Sequence, residues 1–147
     1  MGNRRNTEEI STTLRVNYNT DMKNLIISRK KVFAGSLLPY WIIVGISKAA
    51  FMQKYNFDGD LCEMSTAGRP ISRITVEELD KIGIRINSGQ IKEISVADAV
   101  NNLFVSTMDG CLSNEINIDD CLKTNEGRIT INTKGGLKNM SYPVVEC

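Results

Sequence analysis

Most apolar positions in this chain recur at the two-residue spacing of a β-strand. In "RITINT" (residues 128–133), Ile129 and Ile131 alternate with polar residues, so we expect the isoleucines to face a core and the polar residues to face solvent. "LPYWIIVG" (residues 38–45) is instead a continuous apolar run of strand length, in which Trp41 is expected to be buried. Both patterns predict strands.

The first two strands are predicted to form a hairpin over residues 24–45. "NLIISRKKVF" has a β-branched centre and is followed by the turn-like "AGS", after which the apolar run begins. The basic triplet Arg29-Lys30-Lys31 lies in the first of these strands. We interpret it as protection of an edge strand, because charged side chains discourage an edge from pairing with other chains.

The second half of the chain predicts about five further short strands separated by turn signals. One turn is "NSGQ", and another is Asp109-Gly110, whose sequence suits a tight hairpin turn. Regular spacing of this kind is typical of a sandwich or a partly open barrel. We therefore predict a mainly β fold, α+β overall, with about seven short antiparallel strands. It forms a single domain over residues 21–147, preceded by a flexible polar arm over residues 1–20.

A two-helix insert is predicted within this domain, over residues 46–81. Ser47 suits a helix N-cap before "KAAFMQKY", and Thr75 and Glu78 have the spacing of a capping box, with Gly83 placed to end the second helix. A segment of this length exceeds what a sandwich turn requires, and long loops often bind something. The insert is therefore the first candidate for a contact surface.

Charge is balanced overall but unevenly distributed. The 147 residues carry 18 Lys/Arg and 17 Asp/Glu, and residues 1–50 hold eight of the bases against three of the acids. A solvated basic arm explains this excess more simply than a nucleic-acid site does. The N-terminus lacks the apolar region of a secretory signal, and the longest apolar run, residues 37–46, is short against the roughly 20 residues of a membrane helix. We expect a cytoplasmic protein with no membrane partner.

Several chemistries are disfavoured by composition. Histidine is absent, which removes imidazole catalysis and the commonest transition-metal ligand. The acidic stretch "STMDGCLSNEINIDDC" (residues 106–121) is interpreted as a hairpin that spreads its acids along a strand, so neither a metal nor a cofactor is expected. The four cysteines show no C-x-x-C spacing and follow no export signal, so free, mostly buried thiols are expected. We therefore predict a protein that is not an enzyme and has no catalytic residues.

Three segments in order resemble a known class of β-sandwich: "IISRKKVFAGSLLPYWIIVG", "IGIRINSGQIKEISV" and "LFVSTMDGCLSNEINID". They are similar to small, largely uncharacterised bacterial modules of the PEGA or carboxypeptidase-regulatory kind. In this chain the turn after Val44 is expanded into the insert, and "ADAVNN" replaces the Gly-His that ends the third piece. The resemblance implies a Greek-key sandwich with a structural or binding role, and it carries over no active-site residues.

Two non-catalytic hypotheses for function are favoured over a third, a hydrolase or transferase that uses carboxylates, for which the sequence shows no paired acids. The first is a binding or protein-interaction module that uses residues 46–81 as its contact surface. The alternative is an oligomeric protein that sequesters or senses a small anionic ligand such as a nucleotide, because Arg69 and Arg73 in "GRPISR" can recognise phosphate or carboxylate. Tyr55 and Lys48 on the preceding predicted helix complete this candidate binding set. The expected partner is another protein or a small anion, and a homo-oligomer is one possible assembly.

Overall fold

The computed structural model describes residues 21–31, 38–55, 74–108, 111–134 and 142–147. Within these ranges the chain forms eight strands and three helices. The strands are β1 (Met22–Arg29), β2 (Tyr40–Val44), β3 (Ile84–Ile86), β4 (Ile91–Ala97), β5 (Asn102–Thr107), β6 (Ile116–Asn117), β7 (Arg128–Lys134) and β8 (Tyr142–Glu146), and the helices are α1 (Lys48–Lys54), α2 (Val76–Ile82) and α3 (Ile118–Asn125). The predicted arm over residues 1–20 and the turn at Asp109-Gly110 lie outside the described residues.

The strands assemble into two four-stranded sheets. Sheet A has the order β4-β1-β7-β8, and sheet B has the order β3-β2-β5-β6. The pairs are antiparallel except for β1 and β7, which run parallel with Ile27 beside Ile129. The prediction of a mainly β fold with helices is confirmed, and the described residues contain eight strands where about seven were expected.

Sheet B is covered on both faces, which explains the continuous apolar run of β2. On one face, Ile42 belongs to the core between the sheets, together with Ile27 and Ile131 of sheet A. On the other face, Trp41 and Ile43 belong to a second core, under α1 and α2. Alternate residues of β2 therefore enter two different cores, and the strand loses the polar alternation of a half-exposed strand. The prediction that Trp41 is buried is confirmed.

The predicted hairpin over residues 24–45 is wrong, because its two strands belong to different sheets. β1 pairs with β4 and β7, whereas β2 pairs with β3 and β5. β1 is thus a central strand, and Arg29 does not protect an edge. The turn over residues 87–90 likewise joins β3 in sheet B to β4 in sheet A. A strand-turn-strand pattern in the sequence does not distinguish a hairpin from a connection between two layers.

Helices α1 and α2 form a third layer over sheet B. Their predicted starts are confirmed, since Ser47 caps α1 and both halves of the capping box between Thr75 and Glu78 are formed in α2. Each helix buries one large apolar side chain in the second core, Phe51 from α1 and Leu79 from α2. The described part of the insert is therefore part of the fold.

The acidic stretch over residues 106–121 does not continue as the single strand that was predicted to hold its acids. Only Ile116 and Asn117 pair as β6, and the chain then enters α3. Asn117 accepts a hydrogen bond from the Asp120 N–H, which caps the helix, and Gly127 follows its last turn with a φ of 78°. An Asn followed by two acids is a helix-start signal, so the sequence did contain the information.

The C-terminal segment forms β8 and brings Cys147 beside α3. Cys147 is disulfide-bonded to Cys121, with Cα atoms 5.5 Å apart, and Cys111 is also disulfide-bonded. The expectation of free thiols is therefore wrong, because no cysteine in the described part of the chain is free. The partners Cys121 and Cys147 are 26 positions apart in sequence, and their proximity depends on the pairing of β8 with β7. Sequence spacing alone could not reveal it.

Candidate functional site

The two described members of the predicted ligand-binding set lie at opposite ends of α1. Lys48 is the first residue of this helix, and Tyr55 caps its C-terminal end, about 10 Å away at 1.5 Å per residue. The Tyr55 ring packs on Phe51, with ring centroids 4.9 Å apart. Arg69 and Arg73 lie outside the described residues. Lys48 and Tyr55 are therefore two helical turns apart, and the predicted ligand-binding set stays a prediction.

The acids of residues 106–121 that the structure describes hold elements together. Glu115 Oε2 accepts a hydrogen bond from the backbone N–H of Lys48 at 2.8 Å, so it fixes the start of α1. Asp119 forms an ion pair with Lys23 at 2.9 Å, which ties α3 to β1. No group of three or more His, Cys, Asp or Glu side chains within the described ranges could hold a metal ion.

One partly exposed carboxylate, Asp80 on α2, is held by fixed donors. Trp41 Nε1 donates to Asp80 Oδ1 at 2.8 Å, and Arg85 Nη2 donates to its Oδ1 and Oδ2 at 3.0 and 2.8 Å. These bonds, the one from Trp41 foremost, lower the pKa of Asp80. A carboxylate with a lowered pKa is a weak general base. Asp80 is therefore a structural anchor between α2 and sheet B.

Three of the four sheet edges among the described strands are short or closed. β3 has three residues, and β6 has two. On β8, Pro143 has no N–H to offer, and the backbone N–H and C=O of Val145 both bond the side-chain amide of Asn114 at 2.9 Å. Asn114 thus occupies the place that the next strand would take.

The fourth edge, β4, is seven residues long and has one side unpaired among the described strands. The backbone N–H of Arg29 donates a hydrogen bond to the carbonyl oxygen of Gln90. This bond determines which residues of β4 direct their backbone N–H and C=O groups towards β1. In an antiparallel ladder the backbone groups of successive residues point to opposite sides, so those of Ile91, Glu93 and Ser95 point away from β1. No described strand pairs with that side.

Arg29, predicted to protect an edge strand, is instead a buried cation. β1 directs every second residue into the space between the sheets, and Leu25 and Ile27 precede Arg29 in that series. Strand alternation could therefore have identified Arg29 as inward-facing. Burial lowers the pKa of Arg29, and the neighbouring Tyr40 opposes this shift. A guanidinium nevertheless stays charged at neutral pH, so the end of the core contains a permanent cation.

Comparison with known proteins does not identify a relative. No family model matches the chain, and neither a curated protein nor a solved structure does. The resemblance to PEGA-like modules therefore stays a prediction. No described helix is long and apolar enough to cross a membrane. Function is accordingly inferred from the geometry of β4 and of Arg29.

Proposed function

We propose that this protein is a non-catalytic interaction module that accepts an extended segment of another protein at the β4 edge. The observation that supports the proposal is the contrast between edges: β4 offers seven residues, whereas the other edges are short or closed by Asn114. In such strand addition, main-chain hydrogen bonds give affinity, and alternate side chains give specificity.

Ile91 offers one apolar contact to an added strand on the outer face of β4, where Glu93 and Ser95 follow it. Ile91 is 66% exposed and Met22, on the neighbouring strand, is 53% exposed. Both face the outer side of sheet A, so the outward side chains of an added strand would contact Ile91. Lys92 and Glu93 place charges on opposite faces of β4, which disfavours indiscriminate pairing with apolar strands.

The described part of the insert offers few apolar contacts to a partner. Phe51 and Leu79 are fully buried against sheet B and cannot anchor a partner. The exposed positions of α1 carry Ala49, Ala50, Gln53 and Lys54, which are small or polar. The proposal therefore keeps the class of function expected from the sequence and moves the contact surface from residues 46–81 to β4.

The proposal includes an oxidising compartment. The disulfide between Cys121 and Cys147 supports it, because such bonds persist in oxidising environments and are rare where cellular reductants keep thiols reduced. This replaces the expectation of a cytoplasmic location. Peptide mapping under non-reducing conditions, on protein taken from its native source and alkylated at harvest, is expected to yield the peptide linked through Cys121 and Cys147. Complete alkylation of both thiols would reject this part of the proposal.

Selection of binding peptides tests the β4 contact directly. The full chain is used to select binders from a random peptide library, and each binder is resynthesised with a single N-methyl group at successive positions. We expect binding to weaken at every second position, because only alternate N–H groups of an added strand point to β4. Binders that tolerate N-methylation everywhere would contradict strand addition.

Two variants at one position provide the matched control. Ser95→Pro removes an outward N–H and places a ring on the open side of β4, so peptide binding should be lost. Ser95→Ala removes the hydrogen bond to Asn24 but keeps the backbone N–H, so binding should persist. Light scattering on both variants also tests the homo-oligomer, because a dimer paired through β4 would dissociate only in Ser95→Pro.

A further inference from the structure

Two buried cations mark the ends of the inward-facing series on β1. Lys23 and Arg29 are six positions apart, which is about 20 Å along a strand. Their residue exposures are only 6% and 2%. They therefore occupy comparable positions at opposite ends of the core between the sheets, and they can be compared directly.

The charge and the three N–H donors of Lys23 are all matched by groups of this chain. Its Nζ donates to the carbonyl oxygen of Val100 at 2.8 Å and to Asn101 Oδ1 at 2.6 Å, and it forms an ion pair with Asp119 at 2.9 Å. An ammonium has three N–H donors, and these three acceptors match them in number. The charge is neutralised by a carboxylate from α3.

Arg29 meets neutral groups in the part of the chain that the structure describes. Its Nη1 donates to the carbonyl oxygens of Leu38 and Ile86 at 2.9 and 3.0 Å. Its guanidinium carbon lies 3.6 Å from the centroid of the Tyr40 ring, whose face covers the cation. Its Nε and Nη2 are buried without a hydrogen-bond partner, and neither described ion pair involves Arg29.

The two unpaired nitrogens of Arg29 belong to the same edge of the guanidinium. Nε–H and one N–H of Nη2 point in nearly the same direction, as a fork with fixed spacing. This fork matches two oxygens of a carboxylate or a phosphoryl group, which accept both hydrogen bonds at once. Nη1, which already donates to two carbonyl oxygens, takes no part in this two-point contact.

A buried charge without a counter-ion is unfavourable unless something compensates it. Removing the ion from water is costly, and two carbonyl dipoles with an aromatic face return only part of that cost. Fully buried charges in proteins are normally paired. Lys23 shows that this chain supplies a carboxylate to a cation in the same core. No described residue supplies an equivalent carboxylate to Arg29, so its charge is left for a bound anion to compensate.

Three lysines lie near the Arg29 end of the sandwich. Lys30 and Lys31 follow Arg29, and Lys134 ends β7, which runs parallel to β1. Such a cluster raises the local concentration of anions. The hydroxyl groups of Tyr40 and Thr133, bonded to each other at 2.8 Å, add polar atoms beside the guanidinium.

We propose that Arg29 anchors a buried binding site for a small oxyanion, a carboxylate or a phosphoryl group, that accepts hydrogen bonds from both Nε and Nη2. The site goes beyond the strand contact at β4 and does not depend on it. Both nitrogens have almost no contact with solvent, so an anion bound to them would be attracted to the guanidinium more strongly than at the protein surface. Enclosure also favours a small anion over a polyanion such as nucleic acid.

The test follows the Arg29 Nε–H signal in a proton–nitrogen NMR spectrum of the full chain. Sodium phosphate and sodium acetate are titrated separately at constant ionic strength, with sodium chloride as the reference salt. At least one oxyanion is expected to shift the Arg29 signal in a saturable way and to raise the melting temperature. A response to phosphate alone identifies a phosphoryl ligand, and a response to acetate alone identifies a carboxylate ligand. An Arg29 signal unmoved by either anion would overturn the proposal.

Variants at the two cations separate this site from the surface lysines. Arg29→Met keeps the length and apolar stem of the side chain, and it should abolish the oxyanion-dependent rise in melting temperature. Lys23→Met should lower the melting temperature, because it leaves Asp119 unpaired, yet it should keep the full oxyanion response. An undiminished response in Arg29→Met would assign the effect to exposed lysines and reject the site. The wild-type NMR titration decides the question even if Arg29→Met does not fold.

Discussion

The indole N–H of Trp41 donates to Asp80 Oδ1 at 2.8 Å, which joins the centre of sheet B to helix α2. Trp41 is fully buried, whereas the Asp80 side chain is 45% exposed, so the bond spans the boundary between the second core and solvent. Arg85 bonds the same carboxylate and lies over the Trp41 ring, with its guanidinium carbon 5.1 Å from the ring centroid. These contacts connect the insert to the sheet and support two predictions.

Trp41→Ala should lower the free energy of unfolding by about 3–5 kcal/mol, because it leaves a large cavity beneath α1 and α2. Trp41→Phe retains an aromatic ring and loses the hydrogen bond to Asp80, so a smaller loss of about 1–2 kcal/mol is expected. Urea unfolding followed by circular dichroism measures both. Equal losses for the two variants would mean that filling the core is unimportant at this position.

Asp80 should make stability depend on acid pH. Its pKa is lowered in the folded protein by the Trp41 and Arg85 bonds, so the native state stabilises the ionised carboxylate relative to the unfolded chain. This contribution is complete above the ordinary pKa of 3.8 and is lost as the pH falls through the lower folded pKa. The melting temperature of wild type should therefore fall towards that of Asp80→Asn below about pH 4. A difference between them that does not change with pH would contradict this assignment.

Two glycines offer a matched test of steric fit. Gly45 and Gly127 have φ angles of 84° and 78°, so alanine is strained at both, by about 1–2 kcal/mol. A Cβ at Gly45 would meet nothing within 4 Å, whereas one at Gly127 would lie 2.7 Å from the Asn24 carbonyl oxygen. Gly127→Ala should therefore destabilise by about 1–3 kcal/mol more than Gly45→Ala. Chemical denaturation of both variants gives the difference, and equal effects would refute the close approach of α3 to β1.

The disulfide between Cys121 and Cys147 should contribute about 3.5 kcal/mol to stability, mainly by restricting the unfolded chain over a separation of 26 residues. The double variant Cys121→Ser with Cys147→Ser removes the bond without creating a free thiol. Guanidinium unfolding under oxidising conditions compares it with wild type. Because the bond ties β8 to α3, amides in β8 should also exchange faster in the variant. Unchanged stability and exchange would mean that packing alone holds β8.

Local patterns predicted the elements of this fold better than their neighbours in space. The capping signals at Ser47 and Thr75 are short-range hydrogen bonds, so the residues that form them are adjacent in sequence. Pairing of β1 with β7 depends on contacts about one hundred positions apart, such as Ile27 with Ile129, and no local pattern encodes it. The alternation in β1 was readable, and it placed Arg29 on the inward face. The charge of Arg29 instead led to the interpretation that it protects an edge strand.

The candidate binding sites were likewise difficult to predict from local sequence patterns. Arg69 and Arg73 were selected for their chemistry alone, and burial and hydrogen-bond partners are not visible in a sequence. The importance of Arg29 lies in what its neighbours do: Ile86 and Leu38 satisfy one nitrogen and leave two without partners. The choice of β4 as the contact edge likewise depends on Asn114, which closes β8 at the opposite edge of the same sheet.

The last prediction concerns deletion of the insert. It tests whether the insert is a contact surface or a structural layer over sheet B. Replacing residues 46–81 by a short Asn-Gly turn would uncover Trp41, Ile43 and Phe104, each of which is fully buried. Each Å² of apolar surface exposed costs about 25 cal/mol, so the truncated chain should aggregate and bind a hydrophobic dye. Gln53→Ala, which alters only an exposed position of α1, should keep the oligomeric state of wild type and normal peptide binding at β4. Size-exclusion chromatography with light scattering compares the two variants. If the truncated protein were monomeric and folded cooperatively, sheet B would not need its helical layer. The insert would then again be a candidate contact surface.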